Sequence, residues 1–191
     1  MTKNLTNLKE LSDNYLMSRV TEGDLGKMGV LYERYNRRVY AYFYRCTAEQ
    51  AKSEDLVHNV FMRLIKYRNS FTGDGQFVHW LFTIVRNTWY DQNRKKDILK
   101  HAEDIEETQS ELNTEDEDVN DFKNDRIRRM RKAIQLLTPE KREAILLSRY
   151  EGLKYEEIAD IAECSISAIK TRVQRGLLDL KRIISQLESE L

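Results

Sequence analysis

The sequence predicts an all-α protein, with two small helical domains joined by a flexible acidic linker. Three observations carry that expectation. The 191 residues include one Pro and seven Gly, too few turn-formers for a turn-rich β-sandwich. Apolar side chains recur at helical spacing toward both ends of the chain. Charge is segregated along the chain although the formal net charge is zero. Residues 1–97 carry 16 basic and 11 acidic side chains, residues 98–125 carry 2 and 11, and residues 126–191 carry 14 and 10. The expected layout is an N-terminal extension over 1–24, a first domain over 25–97, an acidic linker over 98–125 and a second domain over 126–187.

Several classes are excluded at this level. No stretch approaches 18 consecutive apolar residues, so the sequence predicts no membrane insertion. Met1 to Glu10 is polar and lacks the apolar region of a secretory signal. Cys46 and Cys164 are far apart and form no CxxC, so neither a disulfide framework nor a zinc site is expected, which fits a reducing cytoplasm. The linker, rich in acids and poor in apolar periodicity, reads as solvated. A flexible chain of about 28 residues would reach roughly 30 Å on average. Two basic flanks around it raise the question of a shared polyanion.

In the first domain, Leu31, Tyr35, Val39 and Tyr42 fall one turn apart between Leu25 and Arg45 and predict a helix. Ser53 precedes Glu54 and Asp55, the pattern of an N-cap with acids in the first turn. The helix it would start places Val57, Val60, Phe61, Leu64 and Ile65 on one stripe, and Asp55, Asn59, Met62 and Lys66 on the opposite face. A solvated face is the ordinary reading of that pattern, but Met62 on it fits an adaptable contact surface. Phe71 to Gln76 (FTGDGQ) breaks the periodicity as a loop, and lacks the spacing of a phosphate-cradling loop or a dinucleotide fingerprint. A further helix begins near Phe77 with Trp80, Leu81, Ile84 and Val85 as its buried side. Its remaining residues, Arg86, Asn87, Trp89, Tyr90, Asn93, Arg94, Lys95 and Lys96, mix bases, amides and rings. That mixture suits single-stranded nucleic acid, where cations track phosphates and each stacked ring contributes about 1–3 kcal/mol. The alternative is a helix whose rings are core and whose basic end complements the helix dipole.

In the second domain, Thr138-Pro139 reads as an N-cap followed by proline in the first turn, and Gly152 as a stop. A short helix follows (YEEIADIA), with Tyr155, Ile158, Ala159 and Ile161 apolar. Glu163-Cys164 makes a tight turn and Ser165 caps a long last helix, whose expected buried stripe is Ile166, Ile169, Val173, Leu177, Leu180 and Ile184. Ser167, Lys170, Thr171, Gln174 and Arg175 project from its other side. A short helix, a tight turn and a helix that is polar and basic near its start form the helix-turn-helix layout, whose second helix enters the major groove. Gln pairs there with adenine and Lys or Arg with guanine. An ordinary three-helix bundle is the alternative.

Two blocks make the pattern specific. SEDLVHNVFMRLIKYRNSF with GDGQFVHWLFTIVRNTWYDQNRKK resembles sigma region 2, and LTPEKREAILLSRYEGLKYEEIADIAECSISAIKTRVQRGLLDLKRI resembles sigma region 4. Together they resemble the extracytoplasmic-function (ECF) group of bacterial sigma-70-type sigma factors, in the expected order and in its minimal two-domain form. The resemblance implies a sigma region 2 helical bundle and a sigma region 4 helix-turn-helix. It implies core RNA polymerase as a partner through its clamp coiled coil and flap, promoter DNA as a second, and an anti-sigma factor as a third. Asp55, Leu56, Asn59, Met62 and Arg63 match positions that grip the polymerase clamp. The loop of Thr72, Gly73, Asp74, Gly75 and Gln76 matches the one that captures a base of the −10 element. Arg86, Asn87, Tyr90, Arg94 and Lys95 match positions that hold the melted strand. Ser167, Lys170, Thr171, Gln174 and Arg175 match those that meet the −35 duplex. His58 stands where the family has Gln, and reads as a variation and not a metal ligand, since no second ligand lies at suitable spacing. Trp80 resembles a core residue.

The function so implied is promoter-specific transcription initiation with no covalent chemistry, no cofactor and no catalytic residue. A free-standing helix-turn-helix regulator would need a dimer interface or effector pocket, for which the sequence gives no sign. A nuclease would need clustered His or carboxylates on the DNA-facing helices, whereas the acids concentrate in the linker.

Overall fold

A computed structural model describes residues 10–102 and 121–189. Among them the chain forms eight α-helices and no strand. They divide into two compact units, one from the helices up to Ala102 and one from those after Asp121, with residues 44–50 grouped with the second.

The first unit opens with α1 (Asp13–Thr21), inside the stretch expected as an extension. Ser12 caps it, its Oγ accepting the Tyr15 N–H at 3.2 Å. Leu16, Met17 and Val20 are fully buried and pin the helix down. Asp13 adds a polar tie to α2 (Gly26–Thr47): its carboxylate accepts from the Arg34 guanidinium and from the Tyr35 hydroxyl. Burial, with Asp13 beside it, pushes the Tyr35 hydroxyl far above its ordinary titration range. The expected stripe of α2, Leu31, Tyr35, Val39 and Tyr42, is buried.

Helix α3 runs Gln50–Lys66, so it starts before the cap expected at Ser53. Ser53 lies inside the helix and is fully buried, one turn ahead of Leu56 and Val57 on the same core face. Leu56 belongs to that face too, at 1% exposure. Its assignment to a polymerase contact is therefore corrected, because a side chain enclosed by its own core cannot also grip a partner. Helix α4 (Phe77–Ala102) buries Leu81, Phe82, Ile84 and Val85, while Trp80 is only half-buried. It runs five residues into the range expected as linker, and α5 begins five residues before that range ends. The rest of the expected linker, 103–120, lies outside the described residues.

The second unit contains α5 (Asp121–Gln135), α6 (Pro139–Ile145), α7 (Tyr155–Ile161) and α8 (Ile166–Ser189). Arg142 of α6 closes the C-terminus of α5, donating to the carbonyls of Ile134 (3.1 Å), Leu137 (3.0 Å) and Gln135. Pro139 stands in the first turn of α6 behind Thr138, as expected. The helix does not stop there but widens into a π-helical turn over Leu146–Tyr150 before Gly152, at φ +70°, ends it. The buried stripe of α8 is Ile169, Val173, Gly176, Leu180 and Ile183. Ile166 and Leu177, expected in that stripe, are exposed, and Ile184 is only half-buried. The stripe turns at Gly176, where a Cβ would stand 2.7 Å from Ile145 Cδ1. Glycine lets α8 approach α6 that closely.

Candidate functional site

Three surfaces carry the side chains that the sequence singles out. The first lies on α3. Asp55, Asn59 and Met62 recur at helical spacing and are exposed, Met62 by 53%. Arg63 is turned aside into an ion pair with Asp91 of α4 at 2.7 Å, so it braces two helices as well as flanking the surface. Beside this strip a groove of about 240 Å³ runs between α2 and α3. Tyr32, Asn36, Arg37 and Tyr40 line it from one side, and Glu54, Val57 and His58 from the other. The α2 residues were not singled out by sequence. Their spacing of one turn and two turns on a helix with a separate core stripe was the available signal. Tyr32 rests edge-on against Phe61, with centroids 4.7 Å apart, which fixes one groove wall.

The second surface is the loop between α3 and α4, with the face of α4 beyond it. A single 3₁₀ turn (Arg68–Ser70) leads in. Phe71 and Phe77 are buried at either end of the loop, and between them Thr72, Gly73, Asp74, Gly75 and Gln76 are exposed. Trp80 completes a ring cluster, 5.3 Å from Phe71 and 6.2 Å from Phe77, and its indole N–H donates to Ser70 Oγ at 3.3 Å. The loop is thus a five-residue arch on an aromatic footing. Gly73 takes φ +80°, a conformation in which a side chain would be strained. Farther along α4, Arg86, Asn87, Tyr90 and Arg94 share one face over about 12 Å of helix axis. The Arg86 guanidinium lies 4.7 Å from the Tyr90 ring centroid, holding ring and charge together. Asn87 and Arg94 are exposed. The Lys95 side chain lies outside the described residues. Trp89, a candidate ring of this face, is half-buried against Phe43.

The third surface is the start of α8. The α7–α8 turn needs Glu163 at φ +52°, and Ser165 Oγ accepts the Ala168 N–H at 3.2 Å as the N-cap. At the start of α7 the arrangement is reciprocal: the Glu157 carboxylate, inside the helix, accepts the N–H of the cap residue Lys154 at 2.7 Å. Ser167, Lys170, Thr171, Gln174 and Arg175 are all exposed on one face of α8. Thr171 donates its hydroxyl proton to the Ser167 carbonyl (2.9 Å), which leaves its oxygen to act as an acceptor. Arg172 points back to Cys164 Sγ at 3.4 Å and so stays off this face. The Lys141–Asp179 pair (2.6 Å) ties α6 to α8, and the Lys141 ammonium holds the Asp179 carboxyl below its usual range. Among the described residues no group of three or more His, Cys, Asp or Glu could hold a metal ion, and no helix is long and apolar enough to cross a membrane.

Two all-helical units bearing such surfaces define a nucleic-acid-binding protein with a helix-turn-helix at its C-terminal end. Residues 31–98 match the Sigma-70 region 2 family and residues 127–180 match the Sigma-70 region 4 family. The ECF RNA polymerase sigma-E factor of Haemophilus influenzae is 30% identical over 178 residues, covering 88% of this chain and 93% of that protein. The RNA polymerase sigma factor CarQ of Myxococcus xanthus is 29% identical over 92% of this chain and 99% of its own. Among solved structures, the sigma factor RpoE of Bartonella quintana, determined with the anti-sigma factor NepR, is 27% identical, with a TM-score of 0.68 over 82% of this chain and 96% of its own. CnrH, determined with the cytosolic domain of CnrY, shares the fold at a TM-score of 0.70, 19% identity, and coverage of 91% and 97%. The chain belongs to the ECF sigma factors. It binds core RNA polymerase and directs promoter-specific transcription initiation.

Proposed function

We propose that the chain divides promoter reading between its two units, −35 as duplex on the second and −10 as melted strand on the first. One observation carries this reading: the two DNA-type surfaces differ in chemistry. The α8 face presents hydroxyls, an amide and two cations without a ring, suited to base edges and phosphates of an intact major groove. The exposed loop presents an amide and a carboxylate, and α4 beyond it adds the half-buried Arg86–Tyr90 pair with exposed Asn87 and Arg94, a mixture of ring, amide and guanidinium groups suited to a strand whose bases are unstacked. Extruding a base costs a few kcal/mol. Stacking and the cations of α4 offset that cost once polymerase orders the strand.

Asp55, Asn59 and Met62, with Arg63 at their flank, form the clamp-gripping surface, and the neighbouring α2–α3 groove extends it. Partners of the relatives support a further step: an anti-sigma factor masks this chain when its regulon is silent. The domains run close to 25–97 and 126–187, with α1 joined to the first and the acidic stretch between them. The protein acts in the cytoplasm beside the polymerase and performs no covalent chemistry of its own. Permanganate footprinting of a selected promoter with reconstituted holoenzyme tests the division. Asn87→Ala should impair opening at −10 and leave closed-complex affinity near that of the parent. Gln174→Ala should do the reverse. Equal loss of closed-complex affinity from both, with no effect on opening, would refute it.

A further inference from the structure

We propose that α1 is a strut for the base-capturing loop, and that Asn14 is the positioning residue that sets the orientation of Gln76. The proposal rests on the reading of residues 72–76 as the −10 loop. The Asn14 side chain spends both halves of its amide on that loop. Its Nδ2 donates to the Gly75 carbonyl at 2.8 Å, and its Oδ1 accepts the Phe77 N–H at 2.8 Å. These two groups belong to the peptide planes on either side of Gln76. Fixing both planes fixes the backbone of Gln76, and therefore the direction in which its exposed side chain leaves the loop. The Phe77 N–H is also one of the unpaired donors at the start of α4, so the same bond satisfies the helix terminus.

The other flank hangs on the same helix. The Thr21 hydroxyl reaches the Arg68 carbonyl at 3.3 Å while bonding the Met17 carbonyl of its own helix at 3.0 Å. The strut is itself rigid, since Leu16, Met17 and Val20 are fully buried and Asp13 is clamped by Arg34 and Tyr35. The arch from Thr72 to Gln76 is exposed, and Gly73 gives it freedom at φ +80°. A loop of that kind recognises a base well only if its order is in place before binding. Gln76, with two donors and one acceptor on its amide, has the chemistry to read a base edge once its direction is set.

The test uses holoenzyme reconstituted with full-length variants and single-stranded −10 oligonucleotides that carry each of the four bases at the captured position. Loss of the two hydrogen bonds in Asn14→Ala should reduce the preference for the cognate base by about tenfold, with core-polymerase affinity close to that of the parent and a melting temperature lower by only a few degrees. Asn14→Asp keeps the acceptor for the Phe77 N–H and loses the donor to Gly75, so it should fall between them. Gln76→Ala should lose the same preference, and adding Asn14→Ala to it should cost little more, as expected for two residues acting through one contact. Parental discrimination in Asn14→Ala would overturn the strut. So would a loss that only tracks weakened core binding or melting, in either Asn14 variant. Parental discrimination in an Asp74→Ala, Gln76→Ala double variant would overturn the loop reading itself.

Discussion

Asp55, Asn59 and Met62 stand on the outer strip of α3, while Leu56, one residue from Asp55, is enclosed by the core. The two kinds of position fail differently. Asp55→Lys and Met62→Glu should each weaken binding to core polymerase by about tenfold or more, because a reversed or newly introduced charge meets a surface shaped for the opposite. Their helicity by circular dichroism should match the parent. Leu56→Ala should instead cost about 2–5 kcal/mol of folding stability in denaturant titration, through the lost methyl groups and the cavity left behind. Parental core binding by both surface variants would remove the clamp assignment. On α8, Gln174→Ala and Arg175→Ala should each relax the preference at particular −35 base pairs by about 1–3 kcal/mol. Competition binding with single-base operator variants reads this directly. A uniform loss across all sequences would mark these side chains as phosphate contacts.

At the level of the helices, a polar tie and a close approach supplement the buried stripe that holds the last one. The Lys141 ammonium lowers the Asp179 titration from its ordinary 3.8, so the tie contributes stability that is present above that pH and is lost as the carboxylate protonates below it. Asp179→Asn should therefore lower the melting temperature at neutral pH, and the gap should close as the pH falls below that value. Both side chains are partly exposed, so the gap should also shrink with added salt. A gap constant with pH would place the effect in packing. The close approach at Gly176 shows why some of this helix could not be read from the chain. Glycine has no hydropathy to contribute, so a stripe through Ile169, Gly176 and Ile183 is invisible, while Ile166 and Leu177 match it by apolarity alone. The stripe of α2 was legible because large side chains repeat there without interruption. Ser53 misled for the converse reason, since a serine ahead of two acids has the sequence of a cap even when the helix has already begun at Gln50. Helix α1 was missed because it is short and buries only three side chains, and its anchors, Asp13 and Asn14, find partners far along the chain. The exposed face of α8 was easier to read, because the turn before it and its Ser165 cap fix the register of the helix locally.

Across the whole molecule, charge is segregated: basic flanks, and a stretch from 98 to 125 that holds 11 acids against 2 bases. On the proposed reading, an acidic segment between two DNA-reading units should repel phosphate and limit binding at random sites. Replacing those acids with Asn and Gln should raise non-specific DNA affinity of the free protein. That gain should fade as salt rises, since the Debye length is about 10 Å at 0.1 M and shorter above it. Unchanged non-specific binding at low salt would remove this role. The central claim, that the chain gives core polymerase its choice of promoter, is tested most directly by transcription in vitro on a fragmented genomic library with start sites mapped by sequencing. Core enzyme with this protein should start at a narrow set of sites that share −35 and −10 sequences, and core enzyme alone should not. Sequence-specific duplex binding by the protein alone, with no change in where the core enzyme starts, would contradict the account and favour a free-standing regulator.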